Sequence, residues 1–148
     1  MNDDYQEINQ ALVRVYNGIL WVEEHELRKS MFRDLTIKEM HAIDAITMYN
    51  HQTVSQVAQK LHVSPGTMTA TADRLVKKGY VERTRSEEDR RVVLVSLSEK
   101  GEKAYLHHKI FHEKMVMAVL DSLNPQETKD LTKALLKLQR FFDDYGKE

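Results

Sequence analysis

Apolar positions recur along this chain with two different periods. From Ile8 they run Ile8, Ala11, Leu12, Val15, Ile19, Val22 and Leu27, a three-and-four spacing that lays one stripe along a helix of about five turns. Thr36-Ile37-Lys38-Glu39 then forms a capping box. The hydroxyl accepts from the third helical amide and the carboxylate reaches back to the cap, opening a second helix with Met40, Ile43, Ala45 and Ile46 inward. A further box, Thr53-Val54-Ser55-Gln56, starts a short helix whose Val54, Val57, Ala58 and Leu61 share a face. His62-Val63 make a turn, Ser64 is an N-cap, Pro65 suits the first helical position, and the next helix runs to a stop at Gly79. Two helices joined by so few residues have the form of a helix-turn-helix.

On the second of these helices Met68, Ala72, Leu75 and Val76 are predicted to pack inward, leaving Thr67, Ala70, Thr71 and Arg74 outward. That outer face is small, polar and basic, as a helix lying deep in a DNA major groove requires. After Gly79 the period falls from 3.6 to 2: Tyr80 to Arg85 and Arg91 to Leu97 read as strands around the turn Ser86-Glu87-Glu88-Asp89, with Val93, Val95 and Leu97 on one face. A hairpin directly after a helix-turn-helix is a wing. Arg83, Arg85, Arg90 and Arg91 gather around its turn, where a narrow minor groove of enhanced negative potential attracts guanidinium groups, and Asp89 is placed to orient one of them. Ser64 with its helix N-terminus, Arg74 and Lys78 are candidates for positioning phosphates.

Beyond the wing, Ser98 caps a long helix that continues through His112 to about Leu120, and Asn124-Pro125-Gln126-Glu127 opens the last one. That helix carries Leu131, Ala134, Leu135, Leu138, Phe141, Phe142 and Tyr145, a broad apolar surface that a chain this small has few places to bury, so a second copy is its expected partner. The expected class is mainly α with a small β-hairpin wing, on one domain spanning residues 1–148. Within it, 36–97 form the winged helix-turn-helix, and 1–30 and 98–148 supply dimerisation helices.

Composition narrows the alternatives. With 41% hydrophobic and 30% charged residues the chain is a soluble globular type. Its apolar runs, such as Ile19 to Val22 and Val92 to Val95, fall far short of the roughly 18 residues of a transmembrane helix. Met1-Asn2-Asp3-Asp4 is not a leader, so a cytoplasmic protein without membrane contact is expected. The absence of cysteine excludes disulfides, thiolate metal sites and cysteine nucleophiles. No glycine-rich phosphate loop, HExxH or GxSxG is present, which speaks against an enzyme. The net charge of -1 conceals an uneven distribution: residues 1–52 hold 5 basic against 9 acidic groups, 53–95 hold 8 against 5, and 96–148 hold 9 against 9. The helix-turn-helix and wing are thus the positive part of the chain, the part suited to an anionic partner.

The segment Leu75-Val76-Lys77-Lys78-Gly79-Tyr80-Val81-Glu82-Arg83, followed by Asp89-Arg90-Arg91 and Leu97-Ser98-Glu99-Lys100-Gly101, resembles the signature of MarR-type winged helix-turn-helix regulators. That resemblance implies a homodimer whose 64–74 helices enter successive major grooves of double-stranded DNA, with Arg91 inserted in a flanking minor groove and Arg90 second to it. The DNA-contact set it implies is Ser64, Pro65, Gly66, Thr67, Thr69, Ala70, Thr71, Arg74, Lys78, Arg83, Arg85, Ser86, Asp89, Arg90 and Arg91. A narrower resemblance, to MarR-type repressors of fatty-acid synthesis genes in streptococci and related Gram-positive bacteria, is carried by several segments. These are Leu27-Arg28-Lys29-Ser30, Phe32 to Asp44, Arg83-Thr84-Arg85-Ser86-Glu87 and Phe111-His112. It implies long-chain acyl groups on acyl carrier protein as corepressor, and no other cofactor. Pro65 and Met68 depart from that pattern, which bears on operator sequence more than on binding mode.

The recognition face offers threonines and Ala70 but no Asn, Gln or Arg before Arg74, so thymine methyl contacts replace bidentate base reading. An A·T-rich pseudo-palindromic operator is expected, with half-sites on the order of 34 Å apart. Trp21, Met31, Phe32, Met40, Ile43, Phe111 and Met115 are the expected lining of an acyl slot, since methionines adapt to flexible ligands. Arg28, Lys29 and Arg33 are the expected basic docking patch for an acidic carrier protein. A different effector, a phenolic compound or a metal ion, is the alternative. His108 and His112, at i and i+4 with His107 and Glu113 near, have chelating spacing. Without a cysteine or a clear third ligand they read as a packed or solvated pair, and no metal site is expected.

Overall fold

The computed structural model describes residues 2–147. Nine elements follow one another: α1 (Asn2–Lys29), α2 (Ile37–Ile46), β1 (Gln52–Thr53), α3 (Val54–Leu61), α4 (Pro65–Lys77), β2 (Val81–Arg85), β3 (Val93–Leu97), α5 (Glu99–Asp121) and α6 (Pro125–Tyr145). The architecture is a winged helix-turn-helix carried between long N- and C-terminal helices. Among the described residues, no helix is long and apolar enough to cross a membrane.

The helix starts lie where the caps put them. Thr36, Thr53 and Asn124 each close a full capping box, Ser64 accepts from the Thr67 amide ahead of Pro65 at the first turn, and Ser98 accepts from the Gly101 amide. The end of α2 is satisfied from beyond the helix: the buried Gln52 side chain, six and seven residues on, donates to the carbonyls of Ile46 and Ala45, two of the acceptors a helix terminus leaves without partners. Gln52 also begins β1, a two-residue strand that the periodicity does not predict. It pairs antiparallel with β3, Gln52 opposite Val95 and Thr53 opposite Leu94, so the sheet has three strands in the order β1-β3-β2. So short a strand carries no pattern of its own; its partner supplies the reason for its conformation. The two wing strands are shorter than predicted. The chain leaves the ladder at Arg85 and rejoins at Val93, and a Ser86 amide to Val92 carbonyl bond closes the loop at 2.9 Å.

One compact core lies under α2, α3 and α4 and the inner sheet face, built on Met40, Ile43, Ile46, Val57, Met68, Leu75, Tyr80 and Val95. Each such side chain contributes roughly 1.5 to 3 kcal/mol by leaving water. The Tyr80 hydroxyl donates to Asp34 Oδ1 at 2.6 Å, and Lys100 lies over its ring at 4.2 Å. Burial and the Asp34 carboxylate push the phenol well above its ordinary range. The packed face of α4 is rotated from the predicted one: Thr71 is inside, 8% exposed, and Val76 is outside. Thr71 tolerates burial because its hydroxyl donates to the Thr67 carbonyl at 3.0 Å and accepts from Arg74.

The outer helices behave differently. Of the apolar stripe on α1 only Leu27 is buried, whereas Ile8 is 59% and Val15 60% exposed. α6 is exposed or half-exposed along its whole length, Phe141, Phe142 and Tyr145 included. A single chain leaves this surface to water.

Gly101, in the first turn of α5, packs against the strand below it. A Cβ there would overlap the Tyr80 carbonyl oxygen and press on the Leu97 Cβ at 3.1 Å. Gly101→Ala is expected to destabilise the fold by about 1 to 3 kcal/mol through overpacking, measured as a lower midpoint of urea unfolding.

Candidate nucleic-acid interface

The recognition helix α4 presents Pro65, Gly66, Thr67, Thr69 and Ala70 to solvent. Ser64 Oγ accepts from the Thr67 amide at 3.1 Å and donates to the Thr67 hydroxyl at 2.8 Å, and Thr69 donates to the Pro65 carbonyl at 2.9 Å. With these hydroxyls tied to the cap and the helix backbone, the exposed face is small and weakly polar. Thr71 does not belong to it, since burial and its two hydrogen bonds turn it into the core.

Two expected phosphate contacts are engaged elsewhere. Arg74 Nε lies 3.3 Å from Glu39 Oε1, and Lys78 Nζ donates to Glu39 Oε2 at 2.7 Å and also to the Asp34 carbonyl. Glu39 is 2% exposed and additionally accepts from the Thr36 amide at 3.1 Å, so one carboxylate caps α2 and holds the C-terminal half of α4. Burial by itself would raise the Glu39 carboxyl. Hydrogen bonds from Lys78 and the Thr36 amide, with the Lys78 charge and Arg74, outweigh it and hold the group below the usual carboxylate range. Lys78 is therefore a strut of the reading head. Arg74 keeps half of its side chain in solvent, but its guanidinium is oriented by Glu39 and Thr71.

The wing arginines divide into three roles. Arg83 pairs with Asp73 of α4 and fixes the wing base to the recognition helix. Arg85 donates to the Arg90 carbonyl at 2.8 Å across the loop. Arg91, on the return arm of the loop just before β3, has a 91% exposed side chain; Asp89 accepts from its backbone amide at 3.0 Å and its Nε at 3.2 Å. Those bonds hold the Asp89 carboxyl below its ordinary value and aim the guanidinium without burying it. Arg90 and Ser86 flank the loop, the former exposed and the latter half-buried.

A cleft of about 670 Å³ separates wing from helix-turn-helix, lined by Thr53, Ser55 and Thr69 on one wall and Arg83, Thr84, Arg85 and Arg91 on the other. Thr53, Ser55 and Thr84 are not among the contacts the sequence predicts. The Thr53 capping box at the start of α3 is the signal that could have found the first two, because a helix N-terminus opening on basic residues attracts phosphate.

The predicted acyl slot is filled. Phe32, Met40 and Ile43 are core residues, Trp21 and Met31 face solvent, Phe111 and Met115 are half-buried, and the cavity at the junction of α1, α2 and α5 measures about 10 Å³, at the lower limit for one water. Arg28 and Lys29 are exposed and pair loosely with Glu24 and Glu26 of their own helix, and Arg33 is exposed beside them. His108 and His112 are not an isolated pair. Glu23 of α1 and His41 of α2 join them, with His41 Nε2 2.9 Å and His112 Nε2 2.7 Å from the two Glu23 oxygens; His107 instead packs on Phe32 and Glu113 faces outward. Burial, with His112 adjacent, lowers the His108 pKa.

The MarR family model matches residues 35–93. Over 117 residues the chain is 33% identical to the HTH-type transcriptional regulator YfiV of Bacillus subtilis (strain 168), a match covering 78% of this chain and 72% of that protein. The crystal structure of Streptococcus pneumoniae FabT in complex with DNA superposes with a TM-score of 0.92 at 43% identity, covering 95% of this chain and 99% of that one. The S. aureus MepR–DNA complex superposes with a TM-score of 0.76, covering 91% of this chain and 97% of that one; at 15% identity the likeness is one of fold.

Because the Glu39 carboxyl is depressed on folding, the stability it contributes is fully present above its ordinary value of 4.5 and is lost as pH falls through the folded-state value. Glu39→Gln should cost about 1 to 3 kcal/mol near neutrality and flatten this acid limb. Urea midpoints of both proteins, followed from neutral to about pH 3, measure the effect.

Proposed function

The chain belongs to the MarR family of DNA-binding transcriptional regulators, and from that premise we propose a homodimeric repressor of fatty-acid biosynthesis genes. Its corepressor in this proposal is a long-chain acyl group on acyl carrier protein. The family and its relatives regulate transcription rather than catalyse reactions. What carries the finer proposal is the 43% identity to FabT across 95% of the chain, together with the segments 27–30, 32–44, 83–87 and 111–112.

In this proposal the exposed stripes of α1 and α6 bury against a second copy, which sets the two α4 helices at the spacing of successive major grooves. Thr67, Thr69 and Ala70 meet base edges, with Ser64, Pro65 and Gly66 where the helix N-terminus meets the backbone. The cleft residues Thr53, Ser55, Thr84 and Arg85 follow the phosphates. Arg91, presented by Asp89, enters the minor groove, with Arg90 and Ser86 beside it. Arg74, Lys78 and Arg83 act from behind, holding α4 and the wing at fixed angles.

An acyl chain requires several hundred Å³, so in the proposed mechanism it opens the joint by parting Phe111 on α5 from Leu27 and Met40. Arg28, Lys29 and Arg33 receive the acidic carrier. The existing ion pairs of Arg28 and Lys29 are exposed and worth little, so exchange for carrier carboxylates costs little.

Fluorescence anisotropy on a fatty-acid synthesis promoter tests the proposal: operator affinity rises on adding long-chain acyl carrier protein, and that rise is lost in Arg28→Glu/Lys29→Glu while basal DNA binding persists. Equal affinity with and without the acylated carrier rejects the corepressor. Arg91→Ala should cost about 1 to 3 kcal/mol of binding and relax the preference for flanking A·T pairs. Thr71→Ala, in contrast, should leave base preference unchanged in a selection experiment.

A further inference from the structure

Glu23 is only 5% exposed, although most of α1 around it faces solvent. Among the described residues its ion-pairing partners are imidazoles alone: His41 from α2, and His108 and His112 from α5. A buried carboxylate surrounded by histidines, with no Lys or Arg, is costly to keep for packing alone, since an apolar side chain would fill the same space without desolvating a charge.

The geometry suggests what the cluster holds. The ligand atoms of Glu23, His41 and His108 lie within 4.8 Å of one another. The two Nε2 atoms of His41 and His112 stand 2.9 and 2.7 Å from the carboxylate oxygens, and His108 Nε2 stands 3.9 Å from Oε1. A tetrahedral zinc ion with nitrogen and oxygen ligands at about 2.0 Å places neighbouring ligand atoms roughly 3.3 Å apart. These separations from the carboxylate fall on both sides of that value; Glu23, His41 and His108 already lie within reach of one ion, and His112, hydrogen-bonded to Glu23 Oε1, turns inward to complete the set. His108 and His112 are one helical turn apart, the chelating spacing, while Glu23 and His41 come from two other helices.

We propose that Glu23, His41, His108 and His112 form a binding site for one divalent metal ion per chain, of the zinc type, at the junction of α1, α2 and α5. Three imidazoles and one carboxylate are a borderline donor set that suits zinc over magnesium or calcium, which require oxygen ligands. The site joins the long helices to the reading head. An ion there ties α2 to α1 and α5, and α2 holds α4 through Glu39, so occupancy is coupled to operator affinity. Only this coupling rests on the DNA-binding reading; metal uptake itself does not.

The test uses the full-length protein stripped with a chelator and titrated with cobalt(II), then zinc(II). One equivalent of cobalt should produce the visible ligand-field bands of a tetrahedral ion, and one equivalent of zinc should remove them. His41→Ala and His112→Ala, checked for folding by circular dichroism, should each weaken uptake at least about tenfold, while His107→Ala, on the same helix outside the cluster, should bind as wild type. Lack of stoichiometric uptake, an octahedral spectrum, or folded His41 and His112 variants that bind like wild type would each overturn the site. Operator affinity with zinc and with chelator, without carrier protein, should differ by at least about fivefold. Equal affinities at full occupancy overturn the coupling, and neither result depends on the acyl-carrier proposal.

Discussion

A single buried carboxylate organises the reading head. Glu39 takes a backbone amide at the start of α2, a guanidinium from the last turns of α4 and an ammonium just beyond them. Once these groups are withdrawn from water, leaving any one without its partner is expensive. The consequence is geometric: the angle of α4 to the body is set by charges that cannot slip, and Arg83 with Asp73 extends the same restraint to the wing. What stays exposed is a set of small side chains on α4 and, on the braced loop, Arg90 and the Asp89-oriented Arg91.

α2 has a second role on its opposite side. His41 faces α1 and α5 and meets Glu23, so a ten-residue helix lies between two polar hubs, one toward the DNA-facing elements and one toward the long helices. The apolar residues between them, Met40, Ile43 and Ile46, are fully packed. A densely packed helix with few alternative arrangements transmits displacement instead of absorbing it. The joint where the proposed effectors would act also meets α1, whose apolar stripe is exposed toward its N-terminal end.

Local chemistry was legible in the residues themselves. Capping boxes at Thr36, Thr53 and Asn124, the Ser64-Pro65 start and the change of period after Gly79 define elements by bonds made within three or four residues, and the structure places them where those bonds require. Departures arise where a distant partner intervenes. β1 exists because β3 offers Gln52 and Thr53 a ladder. Thr71 turns inward because Thr67 and Arg74 satisfy its hydroxyl. Lys78 reads from sequence as a phosphate ligand, since the 39 residues separating it from Glu39 conceal their meeting at 2.7 Å.

The sequence by itself determined the winged helix-turn-helix, the surplus of positive charge on it and the two long apolar stripes left for a second chain, because periodicity, caps and charge runs are properties of neighbouring residues. Only the tertiary structure decided which basic groups stay free and which become struts, that the expected acyl slot is closed, and that a histidine pair one turn apart gains Glu23 and His41. Those outcomes depend on convergence of side chains from separate helices, and convergence is a property of packing that no local pattern encodes.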